Sequence, residues 1–304
     1  MWHSVVTVIP FAVGTGYRMF PAGGATDIVA RMVFQKMSEQ IRQQFVIDNR
    51  GGAGGMVGAE VVSKSPPDGY TLMVYSTTLL ANAHLYKKQP YDSLNDFVGI
   101  TPLTRIVLML AVHPSLPVRT TKDFIALAKS RPGEILYGSA GIGALQHLAM
   151  STLSTTVGAK MNHVPYKGGT LAVTAMMGGE IQAILTPVAE LYAQLKSGRV
   201  RPIAVSSEKR ATQFPDIPTI GETVKGFELT SWFGAFAPTG TPKPIIDKLN
   251  AEIKKAVEDP AVTANLAAQV LDPMYLTPEA FTKLIHSEHA RFKKIVQASG
   301  ARIE

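Results

Sequence analysis

Short apolar runs alternate with amphipathic stretches along most of the chain, and the alternation predicts its elements. Residues 5–11 read as a strand, and residues 27–40 as a helix carrying Ile28, Val29, Met32, Val33 and Met37 on one face, capped by Thr26 or Asp27. A strand at 45–48, a glycine-rich turn at 49–55 and a helix at 57–64 follow. The turn Pro66-Pro-Asp-Gly69 leads into a strand at 70–76 and a short helix at 77–86. Strand, helix, strand at this spacing predicts βαβ units and a mainly parallel sheet.

The pattern restarts near Thr104 with strands at 105–113, 135–138, 161–165, 181–186 and 201–206. Between them lie helices at 121–129 (capped by Thr120 or Thr121), 144–155, 170–177 and 189–196. The tail differs: one strand at 232–238, a Pro/Gly turn, then helices at 245–258, 260–269 and 278–298 with no further strand. Such a tail needs a sheet to pack on, and the first domain is the nearest. The expected organisation is therefore an α/β protein of two lobes, residues 1–103 with 233–304 and residues 104–232, each a mainly parallel sheet flanked by helices. Two crossings make a hinge, and a cleft between hinged α/β lobes is a usual place for a ligand.

Three glycine-rich turns each follow a strand and open a helix. The first is Phe20, Pro21, Ala22, Gly23, Gly24, Ala25, Thr26, Asp27; the second is Tyr137-Gly-Ser-Ala-Gly-Ile-Gly143; the third is Val164-Pro-Tyr-Lys-Gly-Gly-Thr170. A glycine-rich turn at a helix start presents backbone N–H groups at the positive end of the helix dipole, which suits a carboxylate or phosphate. In the first, Gly23 and Gly24 would donate to the anion while Thr26 and Asp27 order the loop; the plain alternative is a tight turn with an N-cap. In the second, Ser139, Ala140, Gly141 and Gly143 approach closely and Ser139 adds a hydroxyl, with His147 packed behind. In the third, Tyr166 gives an aromatic wall, Lys167 a cation, and Gly168 and Gly169 small residues; Lys167 is equally a plain surface lysine. Ser76, Thr77 and Thr78 end a strand at the carboxyl edge where parallel sheets place ligands.

Composition narrows the chemistry. With 304 residues, 46% hydrophobic and 17% charged, the chain suits two globular domains. Its net charge of +7 is spread as doublets such as Lys87-Lys88 and Lys254-Lys255, which argues against nucleic acid. The chain has no cysteine, so disulfide, thiolate-metal and cysteine-nucleophile chemistry are excluded. Ser139 lacks the flanking glycine of a nucleophile elbow, Lys167-Gly-Gly-Thr170 has P-loop residues in the wrong order, and both Gly-x-Gly turns miss the third glycine of a dinucleotide fingerprint. His286 and His289 lack a third metal ligand nearby. No metal and no cofactor is expected. The first ten residues lack the pattern of an export signal, so the protein is expected to be cytosolic or to have its signal missing from this chain.

Taken together, these segments resemble a family. Residues 20–31, Asn49-Arg-Gly-Gly-Ala-Gly-Gly55, Pro67-Asp-Gly-Tyr-Thr-Leu72, the second turn with His147-Leu148, Val164-Pro-Tyr-Lys-Gly-Gly169, Phe214-Pro-Asp-Ile-Pro-Thr219 and Trp232-Phe-Gly-Ala-Phe-Ala-Pro238 are similar, in order, to signatures of the tripartite tricarboxylate transporter receptors, the Bug family. The resemblance implies a two-lobed fold of the type II periplasmic-binding-protein kind, a periplasmic location, and capture of a small carboxylic acid in the interlobe cleft. It implies that Pro21 to Asp27 and Ser139 to Ala144 hold one ligand carboxylate through backbone amides and ordered water. Ser76, Thr77, Thr78, Tyr166, Lys167, Gly168, Gly169 and Thr186 would line the rest. It further implies delivery to membrane transporter subunits or to a sensor domain, by a monomer. Departures from the family pattern are the stretch 12–19 before Phe20, Ala144 where Ser or Thr is common, Thr186 where an acid is common, and Gly51 where Pro is usual. A nucleotide-dependent Rossmann-like enzyme and a sensor or scaffold with a degenerate cleft remain as alternatives.

Overall fold

The computed structural model describes residues 5–10, 25–50, 55–166 and 168–301. In chain order the first elements are β1 (Val5–Pro10), α1 (Ala25–Ile41), β2 (Phe45–Arg50), α2 (Met56–Ser63), β3 (Leu72–Ser76), α3 (Thr78–Leu85) and β4 (Phe97–Ile106). Next come β5 (Leu108–Val112), α4 (Thr121–Ser130), β6 (Leu136–Ser139), α5 (Leu145–Val157), β7 (Asn162–Pro165), α6 (Gly169–Met177), β8 (Ala183–Pro187), α7 (Val188–Lys196) and β9 (Arg201–Val205). The chain finishes with β10 (Ser231–Pro238), α8 (Lys243–Val257), α9 (Pro260–Ala268), β11 (Leu271–Pro273) and α10 (Pro278–Ser299). It divides into two compact units: Met1–Arg105 with Ser231–Lys293, and Ile106–Thr230 with Lys294–Glu304.

The first unit holds a sheet in the order β11-β4-β10-β3-β1-β2. Leu72, Met73 and Val74 of β3 are fully buried, as are Val29, Val33 and Met37 on the inward stripe of α1. Burying a side chain of this size contributes roughly 1.5–3 kcal/mol. Trp232, Phe236 and Phe281 form an aromatic cluster with ring centroids 5.0–6.1 Å apart, which binds α10 to β10. The second unit holds a sheet in the order β7-β6-β8-β5-β9. Its inner strand β5, Leu-Met-Leu-Ala-Val, is buried at every position. The α4 helix starts at a capping box, where Thr120 accepts from the Asp123 amide and Asp123 accepts from the Thr120 amide.

The second sheet is mixed and the described pairings of the first are antiparallel, which corrects the expectation of mainly parallel sheets. β6 runs parallel to β7 and β8, whereas β5 is antiparallel to β8 and β9. β1 is antiparallel to both β2 and β3, and β10 to β3. A βα alternation fixes strand sense only where short loops join consecutive elements. β5 and β10 each follow a crossing between units, and fourteen residues, 11–24, separate β1 from α1, more than the two to six of an ordinary βα loop. Three further corrections concern elements. β4 was not anticipated, because Gly99 and Pro102 interrupt its pattern. The tail contains a strand after all, β11, a three-residue edge strand. Thr26 and Asp27 lie inside the first turn of α1 and are not its cap.

Candidate functional site

Because β6, β7 and β8 are mutually parallel, their carboxyl ends share one edge of the second unit's sheet. The helices α5, α6 and α7 begin there, with their positive ends at that edge. Ser139, Tyr166 and Thr186, from three separate sequence motifs, are thereby brought to one place.

The loop between β6 and α5 is organised by its own polar groups. Ser139 is fully buried; its Oγ accepts from the Gly141 amide at 3.0 Å and lies 2.9 Å from the Gly141 carbonyl and 2.6 Å from His163 Nε2. These contacts, two within the loop and one to the neighbouring strand, make the hydroxyl a strut that holds the loop in shape. The Gly143 amide donates to His147 Nδ1 at 3.1 Å, which places the proton of neutral His147 on Nε2. Gly141 has φ +133 and Gly143 φ +76, a path that disfavours side-chain-bearing residues. The His147 and His163 rings stack at 3.9 Å, with Tyr137 against His163 at 5.1 Å. Burial lowers both imidazoles, and with the neighbouring His147 ring it pushes His163 down to about 4.

The amides of Gly141, Gly143 and Ala144 therefore serve the loop itself, the last through the Gly141 carbonyl at 3.2 Å. Two positive-φ glycines fold the loop back on these acceptors of its own. The amides of Leu145, Gln146 and His147 are differently placed. They precede the first helical bond, from Leu148 to the Ala144 carbonyl. Ala144 sits at the N-cap with extended φ −63, ψ 154 and has no side-chain oxygen to cap them. Ala140 lies half-buried within the same loop.

A neighbouring feature was not foreseen. Glu190, in the first turn of α7, sends its carboxylate to Thr186 Oγ1 at 2.5 Å and to Gln146 Nε2 at 3.4 Å. Gln146 also reaches Thr186 Oγ1 at 3.4 Å. The carboxylate lies so close to Gly169, the first residue of α6, that a Cβ there would overlap it. Burial raises the Glu190 pKa, and the hydrogen bonds from Thr186 and Gln146 oppose the rise. Glu190 was legible only as an acid four residues beyond Thr186; nothing in the sequence singled out His163, which the structure sets beside Tyr137 in parallel register. Tyr166 donates its amide to the Ser139 carbonyl at 3.0 Å, and Gly168 is the N-cap of α6.

The first unit carries the remaining expected residues. Asp27 is buried and pairs with Arg31 Nε at 2.9 Å. Ser76 Oγ contacts Thr78 Oγ1 at 2.9 Å, and Thr77 Oγ1 lies 2.7 Å from Ser231 Oγ. Thr77 is the N-cap of α3 without a side-chain cap bond. Phe20, Pro21, Ala22, Gly23, Gly24 and Lys167 lie outside the described residues, as do 12–19. Among the described residues no group of three or more His, Asp or Glu is placed to hold a metal ion, and no helix is long and apolar enough to cross a membrane.

A family model described as the tripartite tricarboxylate transporter family receptor matches residues 29–301. BugT of Bordetella pertussis is 34% identical over 288 residues, 94% of this chain and 88% of that protein. A Pseudomonas protein from the tcbD-tcbE intergenic region is 37% identical over 91% of this chain and 83% of its own length. Among solved structures, an R. palustris protein with adipate superposes with TM-score 0.83 at 33% identity, covering 93% of this chain and 96% of that one. The periplasmic binding protein BugD superposes at 0.80 with 29% identity, over 94% and 96%. MatC of Rhodopseudomonas palustris, with bound malate, superposes at 0.76 with 27% identity, over 95% and 97%. The chain belongs to the tripartite tricarboxylate transporter receptor family, among whose members are the Bug solute-binding proteins.

Proposed function

We propose that this protein is an extracytoplasmic receptor that captures a small carboxylated molecule, without converting it, and passes it to the membrane subunits of a tripartite transporter. The observation that carries the reading is the α5 N-terminus. Its first three amides have no capping side chain, because Ala144 holds the cap position. They stand beside a loop made rigid by the Ser139, His147 and His163 contacts. A carboxylate there gains charge-assisted hydrogen bonds from donors already in position. Membership of the receptor family and the adipate and malate bound by two relatives support the ligand class and the periplasmic location. The buried, fully engaged Ser139 hydroxyl supports binding over catalysis.

The test is a thermal-shift and calorimetric screen of small carboxylic acids, each paired with its primary amide. The expected outcome is that at least one acid raises the melting temperature and binds while its amide does neither. Equal responses from acid and amide, or none from any acid, would overturn the reading.

A further inference from the structure

The three helix starts in the second unit are not equivalent. α5 opens on amides with no cap. The first turn of α6, by contrast, has an internal carboxylate against it: Glu190, anchored on α7 and packed onto Gly169. Thr186 Oγ1 and Gln146 Nε2 both donate to Glu190 Oε2, and no donor among the described residues reaches Oε1. Gln146 is itself the second residue of α5, so one glutamine side chain links the open amides to the fixed carboxylate. Gly169 lacks the Cβ that would push Glu190 aside.

We propose that Glu190 determines specificity: the ligand held by the α5 amides carries, away from its carboxylate, a hydrogen-bond-donating group such as an ammonium, and not a second carboxylate. This deepens the carboxylate-capture reading and rests on it. A second carboxylate close to Glu190 meets a like charge. An ammonium or hydroxyl there finds Oε1 waiting as an acceptor. Burial of Glu190 adds to this, because a partly desolvated carboxylate gains more from a donor than an exposed one.

Calorimetric titration of the full chain, near neutral pH, with acids that share a carbon skeleton tests the assignment. The pairs are ε-aminocaproate against adipate and γ-aminobutyrate against succinate. The amino acid of at least one pair is expected to bind about tenfold tighter than its dicarboxylate or better. Glu190→Gln, which keeps the side-chain volume, is expected to bring that ratio within about threefold. A dicarboxylate that binds wild-type protein as tightly as its amino partner in both pairs overturns the role of Glu190 and leaves the capture reading standing. Silence from every carboxylic acid overturns both. The wild-type ratio decides the matter should the variant not fold.

Discussion

His163 shows how a residue chosen by sheet register becomes a stability term. Its ring stacks on His147 and packs against Tyr137, and its Nε2 meets Ser139 Oγ. Burial, then the His147 ring, lowers its pKa from 6.5 to about 4. Between those values the unfolded chain holds a proton that the folded chain does not, so stability decreases as pH falls from 6.5 toward 4 and is fully present above 6.5. Thermal melts across that window are expected to show a steeper decline for wild type than for His163→Gln. Part of the slope stays, because burial also lowers His147, His84 and His289. Identical slopes would contradict the assignment. Gly169 provides a second residue-scale case, since its need for smallness comes from one neighbour. Gly169→Ala is expected to cost about 1–3 kcal/mol by overpacking against Glu190. Glu190→Ala in the same chain should return much of that loss, and a double-mutant cycle by chemical denaturation reads the coupling.

At the scale of elements, α5 is the sharpest case because its cap position is empty of side-chain oxygen. The extended conformation of Ala144 is the one a capping serine adopts. Ala144→Ser should stabilise the unliganded protein by about 1 kcal/mol, visible as a rise in melting temperature. The new hydroxyl competes for the amides assigned to the ligand, so carboxylate affinity should fall while stability rises. A parallel rise in both would show that those amides do not hold the ligand. The same element marks what the sequence makes legible. Glycine followed by a helical pattern predicted a start at 144 against Leu145 observed, and amphipathic spacing behind a threonine cap predicted 121–129 against Thr121–Ser130. Strands whose pattern is uninterrupted were equally readable, as in Phe45–Arg50 and Ser231–Pro238. β4 was hidden because Gly99 fits beneath Phe281 and Ile285, and such contacts across the chain leave no periodic trace. Strand sense was hidden for the same reason: alternation records order, not direction. The carboxylate at α6 was hidden because Glu190 and Gly169 lie 21 residues apart and meet only once β7 and β8 flank β6.

At the scale of the molecule, the two units draw on the chain unequally, and this governs what each can do alone. Every strand of the second unit's sheet falls between Leu108 and Val205, and α4 to α7 lie in the same continuous stretch. The first unit's sheet needs β10 on the inner edge of β3 and β11 beyond β4, both from the far end of the chain. Its aromatic cluster also requires Phe281 of α10 to cover Trp232 and Phe236. A polypeptide of residues 106–230, which holds all of the second unit's sheet and lacks only its Lys294–Glu304 segment, is therefore expected to fold by itself, with a cooperative thermal transition and dispersed amide resonances. A polypeptide of residues 1–105 lacks two strands and the covering helix, leaves Tyr75 and Met73 of β3 without their cover, and should show neither property. Because α5, Glu190 and the His147–His163 stack all belong to the continuous stretch, the isolated second unit should also retain measurable affinity for the acid that the whole chain binds. It should retain the same preference between an amino acid and its matching dicarboxylate, since that preference is assigned to Glu190 alone. A fragment that folds yet shows no such preference would move specificity away from α5, α6 and α7 and into residues of the first unit.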